Sequence, residues 1–400
     1  MATTESRPAP LHILNTVRTG VLLAADESPA SLAAARGLNA GGYRVHVAVT
    51  RGDTYVARSR MVASVDRPEP TERDAVAFVE QLAEIARARD VALVLPATEA
   101  SLRAVTGREA LFPSDVTVGT SPQAALDAAT DKLAFQALAA DAGLETIPTV
   151  ELDGADVDEL AGELSFPAVA KPRRTVAESD GGGLESIDAT RVDTLDALRR
   201  LVDANPGREW LVQRHVDGRL AAIGGVSWQG RLVCAAHQES PRIWPVERGI
   251  TAYGITVPPD RERARGVARL LSLIGWSGIF GIQFLVSGGH AYAIDLNPRI
   301  YGSIGLAIAA GHNLPAIWAD LLLGREPVVG AYRAGVRYRV EEDDLRALAV
   351  AFRDGRRREA LLGLLPRRRT AHAVFAARDP APVLASVAKA WARMAGRAVA

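Results

Sequence analysis

The chain has 400 residues, 48% hydrophobic and 24% charged, which is enough for two or three domains with packed cores. Its formal net charge is zero, so nothing in the overall balance points to nucleic acid or an anionic membrane as the main partner. The single cysteine, Cys234, excludes an internal disulfide or a cysteine-based zinc cluster and fits a reducing cytoplasm.

The opening residues Met1–Pro10 carry no apolar signal core. Residues 20–26, GVLLAAD, read as a buried strand, Ser28–Leu38 as a helix stopped by Gly41 and Gly42, and Tyr43–Thr50 as a second strand. Thr71–Arg89 is an amphipathic helix and Asp90–Pro96 a third strand, so residues 1–125 predict a parallel sheet with helical cover. The first strand-to-helix turn, ADESPAS, has no glycine, which argues against a dinucleotide-binding oxidoreductase. From Ser121 the pattern changes. A short helix at SPQAAL and another at Asp131–Ala142 precede the strand-like pieces ETIPTVEL and FPAVAKP. Arg191–Val202 reads as a helix, EWLVQRHV as a strand, and 220–257 as strands and turns. The helix Glu262–Ile274 is followed by strands Gly278–Val286 and His290–Leu296, joined by a Ser-Gly-Gly turn. The run Gly266–Val286 is broken by Arg269, glycines and serines, so no membrane span is expected. One helix is expected over about 303–323 and others near 341–364 and 380–395, with a short strand at AHAVFAA. Seven arginines and two acids lie between Arg353 and Arg369, which reads by default as a solvated basic face.

The chemistry concentrates in the hairpin GIFGIQFLVSGGHAYAIDLNPRIYGS. Asp295 and Asn297 lie two residues apart at a strand end and therefore share a face, with Gln283 in the partner strand. A carboxylate with two amide oxygens is a hard ligand set suited to Mg²⁺ held between protein and phosphates. Arg299, just beyond, offers a fork for a transferring phosphate. Of 47 basic residues only Lys132, Lys171 and Lys389 are lysines. Lys171 ends the apolar strand FPAVA, and a charge there is costly unless it meets an anion. Lys132 sits at a helix start, where a cation opposes the dipole.

On DKLAFQALAADAGLETIPT, FPAVAKP, WLVQRHVDG, GIQFLV and YAIDLNPRIYGSIGLAIAAG, in that order, residues 121–330 resemble an ATP-grasp domain. Residues 1–120 resemble the Rossmann-like pre-ATP-grasp domain that precedes it, so the similarity covers at least four fifths of the chain. The type resembled is the carboxylate–amine ligases with a carbamoyl-phosphate-synthase-like ATP-binding domain. The resemblance implies an α/β and α+β protein with a smaller nucleotide lobe at 121–213, a metal and substrate lobe at 214–330, and a small C-terminal α+β region at 331–400.

It further implies that Lys132 and Lys171 contact ATP phosphates. Leu211, Val212, Gln213 and Arg214 would meet the adenine, Gln283, Asp295 and Asn297 would hold Mg²⁺ or Mn²⁺, and Arg299 would hold the transferring phosphate. Gly182 and Gly183, in a Gly-rich segment after Lys171, stand where the family carries a phosphate flap. Arg173 and Arg174 are either phosphate helpers or solvated charges. On the acceptor side Arg242, His237, Glu239 and Ser303 are the expected substrate contacts. The activity implied is amide formation between a small-molecule carboxylic acid and an amine, such as an amino acid, through an acyl phosphate with release of ADP. Bicarbonate activation and a non-catalytic ATP-binding regulator are the alternatives. No nucleic acid or membrane partner is expected, the compartment is the cytoplasm, and a homodimer is compatible with the sequence.

Overall fold

The computed structural model describes residues 18–152, 157, 160–178, 181–246 and 249–398. An N-terminal parallel sheet is built from β1 (Gly20–Ala25), β2 (Arg44–Val49), β3 (Val62–Asp66), β4 (Leu93–Pro96) and β5 (Thr117–Val118), in the order β3-β2-β1-β4-β5. Helices α1 (Pro29–Ala40), α2 (Ala75–Ala88) and α3 (Glu99–Val105) cover it. Each starts where a side chain satisfies orphan N–H groups: Ser28, Asp74 and Thr98 are the respective caps. Strand order reverses at β1/β4, the point where open α/β sheets form a crevice at their carboxyl ends.

Two helices, α4 (Gln123–Thr130) and α5 (Lys132–Asp141), lead into the remaining sheets. Strand β6 (Glu145–Thr146) joins the large sheet, and β7 (Thr149–Leu152), β8 (Ala168–Pro172), β11 (Thr190–Val192) and β12 (Trp210–Arg214) form a small antiparallel sheet backed by α6 (Leu195–Asp203). Between β8 and β11 runs a hairpin of β9 (Val176–Glu178) and β10 (Leu184–Ser186). The large sheet is ordered β19-β18-β15-β14-β13-β16-β17-β6. Its members are β13 (Arg219–Trp228), β14 (Arg231–Trp244), β15 (Ile250–Thr256), β16 (Gly278–Ser287), β17 (His290–Asn297), β18 (Arg337–Arg339) and β19 (Thr370–His372), besides β6. Helix α7 (Arg261–Ile274) covers one face through Val267, Leu270 and Leu271.

The helix expected over 303–323 is two, α8 (Ile304–Ala309) and α9 (Leu314–Leu322). Gly311 between them has φ +113, a conformation that ends a helix. Likewise 341–364 divides into α10 (Glu341–Arg353) and α11 (Arg357–Leu364) at Gly355, φ +83. Helix α12 (Ala381–Ala398) closes the chain. The 331–400 segment extends the large sheet through β18 and β19. The N-terminal sheet and large lobe share one core in which Leu23, Leu95, Val226, Ile304, Ile317 and Trp318 meet. Among the described residues no helix is long and apolar enough to cross a membrane.

Candidate active site

Four strands of the large sheet put one row of side chains on a common face: Gln238 on β14 opposite Ala222, Ala222 opposite Gln283, and Gln283 opposite Asp295. In the next row Gly224 and Gly281 lead to Asn297. Both glycines make room for one ring. A Cβ on Gly281 would lie 2.9 Å from the Tyr301 ring, and one on Gly224 would overlap the Tyr301 hydroxyl. The buried Tyr301 thus lies flat on two bare strands and fixes the turn that carries Asn297 and Arg299. Asn297 Nδ2 donates to Asp295 Oδ2 at 3.2 Å, and Arg299 Nη1 donates to the Ile300 carbonyl at 3.0 Å.

Lys171 on β8 crosses from the small sheet and donates to the Ile294 carbonyl at 3.2 Å, beside Asp295. Burial pushes its ammonium down to about 8; the Asp295 charge opposes that and the Lys132 charge adds to it. Lys132, the first residue of α5, donates to Thr175 Oγ1 at 2.6 Å. Two cations and a carboxylate therefore lie within electrostatic reach of one another where the two lobes meet. Arg173 is committed elsewhere: it pairs with Asp131, the cap of α5, at 2.8 Å and with Glu151 and Glu209 at 3.2 and 3.3 Å.

On β12, Leu211 and Gln213 turn to the same face as Lys171, while Val212 packs into the small-lobe core with Trp210. The Gln213 amide donates to Thr149 at 2.8 Å, and Arg214 lies over the Tyr292 ring at 6.0 Å. Beside the row of Gln283, Asp295 and Asn297 opens a cavity of about 240 Å³, lined by Gln283, Asn297, Arg299 and Ser303 among others.

Residues 207–343 match the family described as ATP-grasp in the biosynthetic pathway with Ter operon. The carbamoyl phosphate synthase large chain of Rubrobacter xylanophilus is 31% identical over 180 residues, covering 42% of this chain and 17% of that one. The chain thus spans only about a sixth of the length of that relative. The L-amino acid ligase of Bacillus licheniformis has the same fold, with TM-score 0.57, 17% identity and coverage of 80% and 78%. So does N5-carboxyaminoimidazole synthetase of Staphylococcus aureus, solved with ADP, at TM-score 0.60, 14% identity and coverage of 86% and 88%. The family match is thus to ATP-grasp, over residues 207–343.

Several expected contacts lie elsewhere. Arg242 is not a free anchor. Its fork is closed on Asp344, Nε at 2.5 Å and Nη2 at 3.1 Å, with Tyr253 stacked at 4.2 Å. His237 and Glu239 flank Gln238 and so point to the opposite face of the sheet. There they line a separate cavity of about 220 Å³ with Asp260 and Arg263, and burial lowers the His237 pKa. Gly182 and Gly183 meet the N-terminal domain. The Leu184 N–H donates to the Thr71 carbonyl at 2.8 Å, and a Cβ on Gly183 would overlap the Glu72 carbonyl. Ser303 does face the cavity, where its hydroxyl exchanges hydrogen bonds of 2.8 and 3.0 Å with the Gln238 amide.

Sequence reading missed Gln238, Asp26 and Thr98 from the N-terminal sheet edge, and Asp343 from α10, all of which line the cavity. Strand parity relative to Gln283 would have found Gln238. The other three come from distant segments.

Proposed function

We propose that the chain is an ATP-dependent carboxylate–amine ligase that joins a small carboxylic acid to an amine through an acyl phosphate. The observation that carries this reading is the meeting of Lys132 and Lys171 with Asp295 beside the cavity that Arg299 lines. A carboxylate oxygen attacks the γ-phosphorus as the bond to ADP breaks. The amine nitrogen then attacks the acyl carbon, phosphate leaves, and the nitrogen gives up a proton. Lys132 and Lys171 hold phosphate oxygens, and Arg299 holds the transferring group through a charge-assisted fork. Leu211 and Gln213 face the same cleft as Lys171 and bound the adenine side.

Gln283, Asp295 and Asn297 fit a magnesium ion. The Asn297 Nδ2 is turned to Asp295, which leaves its Oδ1 as a donor, and all three offer hard oxygens. The ion, when bound, would neutralise phosphate charge. Nucleotide use is supported by the ADP complex of the structurally similar Staphylococcus aureus synthetase. On the acceptor side Asp26 and Asp343 bring carboxyl groups to the cavity, and burial raises the Asp343 pKa. An amine that arrives as ammonium, such as an amino acid, suits that wall.

The test is an ADP-release screen of carboxylic acids against amines with mass detection of products. Amide should form with ADP, and Lys171→Ala or Asn297→Ala should abolish both; full activity in either variant rejects the assignment. ADP release stimulated by bicarbonate alone would point to a carboxylase-like enzyme. Tight ATP binding without ADP across the panel would point to a regulator.

A further inference from the structure

Helix α11 is docked the wrong way round for a globular core. Its inward residues are small: Ala360 is buried, and a Cβ on Gly363 would overlap Leu348 of α10. Its large residues face out, with exposures from 44% at Leu362 to 58% at Leu361, and Leu364 and Leu365 between them. Leucine ordinarily goes inward, so an exposed run of four marks a surface that something covers.

The charge around the run is lopsided. Residues 353–369 hold seven arginines and two acids, an excess of five positive charges in a chain whose formal net charge is zero. Both acids, Asp354 and Glu359, are paired with Arg356 at 3.3 and 3.4 Å. Among the described residues none of the other six arginines has an ion pair, and all are exposed. They stand on both sides of the leucines: Arg353, Arg357 and Arg358 before, Arg367, Arg368 and Arg369 after. The covering surface must be strongly anionic and able to take up aliphatic side chains.

Geometry selects between two anionic surfaces. Arg353 ends α10, Arg357 and Arg358 open α11, and Arg367, Arg368 and Arg369 lie in the turn before β19, so the charges come from three separate pieces of chain and not from one pairing face. A layer of anionic headgroups surrounds an inserted tip on every side, and long arginine stems reach it while leucines enter the acyl boundary.

We propose that the Arg353–Arg369 segment is a reversible membrane-surface contact for anionic lipid, with Leu361, Leu362, Leu364 and Leu365 as its inserted tip. The neutral total charge averages this patch away, which is why composition alone argues against a membrane partner.

The test is flotation of the full chain with phosphatidylglycerol vesicles and, separately, phosphatidylcholine vesicles, at low and high salt. Binding is expected to phosphatidylglycerol only, and to weaken with salt. The triple variant Arg367→Gln, Arg368→Gln, Arg369→Gln should lower partitioning by about 100-fold, at about 1 kcal/mol per arginine. The double variant Leu364→Asp, Leu365→Asp should lower it at least about tenfold, because apolar burial is lost. These side chains are solvent-exposed, and an unchanged melting temperature verifies that the variants fold. No flotation of the wild type overturns the proposal. So does flotation indifferent to the leucine substitutions, and binding to soluble polyglutamate that equals vesicle binding would assign the patch to an acidic protein instead.

Discussion

Lys171 carries a consequence of its burial that can be measured. Its pKa in the free protein is pushed down to about 8, against an ordinary lysine value of about 10.4. Below pH 8 the ammonium is present and can hold phosphate; above it the neutral amine cannot. The Kd for ATP is therefore expected to be flat below pH 8 and to rise up to tenfold per unit above it, as read by calorimetric titration. Lys171→Arg, whose guanidinium stays charged, should abolish that rise even where its wider fork binds less well. A pH-independent Kd in the wild type between 7 and 9.5 would remove Lys171 from the phosphate site. Asp295 makes a second claim. It is the one carboxylate in the proposed metal-ligand row, and no cluster of three acidic, His or Cys groups suited to a metal occurs among the described residues. In the proposed site water and phosphate oxygens would complete the shell, so Mg²⁺ should bind weakly alone and tightly with nucleotide. Equal Mg²⁺ affinity with and without ADP would contradict this. These residues were legible in sequence because each breaks a local rule: a lysine ending a buried strand, or an Asp and Asn sharing the end of an apolar hairpin.

Strand parity decided what sequence could not. Gln238, His237 and Glu239 are neighbours in the chain, yet only Gln238 faces Gln283, because side chains alternate and the pairing Ala222–Gln238 fixes the register. The stretch 220–257 read only as strands and turns, so its faces had no assignment. Arg242 misled for a related reason. Its partner, Asp344, is more than 100 residues away and lies on α10, where it is fully buried between Arg242 and Arg339, the latter at 2.8 Å. This carboxylate ties α10 to β14 and β18 and so sets where Asp343 meets the cavity. Removing one partner of a buried pair costs about 3 kcal/mol. Asp344→Ala should therefore speed hydrogen exchange of α10 amides by about 100-fold. It should also raise KM for the amine more than KM for ATP. Unchanged exchange in α10 would show that the helix is held by its apolar face alone.

The cavity belongs to no single domain. Asp26 and Thr98 stand at the carboxyl ends of β1 and β4, where the strand order reverses, so the N-terminal sheet presents its natural crevice to the large lobe. The sequence predicts a parallel sheet there but not where its crevice opens, since strand order is a property of tertiary pairing. The same domain holds the β9–β10 hairpin. Val176 and Leu184 are buried in the N-terminal core with Phe78 and Ala75, and Gly183 lies against Glu72 with no room for a side chain. Because Thr175, the partner of Lys132, directly precedes β9, docking of the hairpin helps to fix where Lys132, one of the proposed phosphate contacts, is held. Leu184→Asp would bury an unpaired carboxylate there, so the hairpin should undock to keep that charge in water. Gly183→Ala should act the same way through its clash with the Glu72 carbonyl. Both variants should lose hydrogen-exchange protection at the residue 184 amide, which bonds to Thr71, and ATP should bind with a faster off-rate. Protection at that amide equal to wild type in both variants would mean that the hairpin is not latched by the N-terminal core.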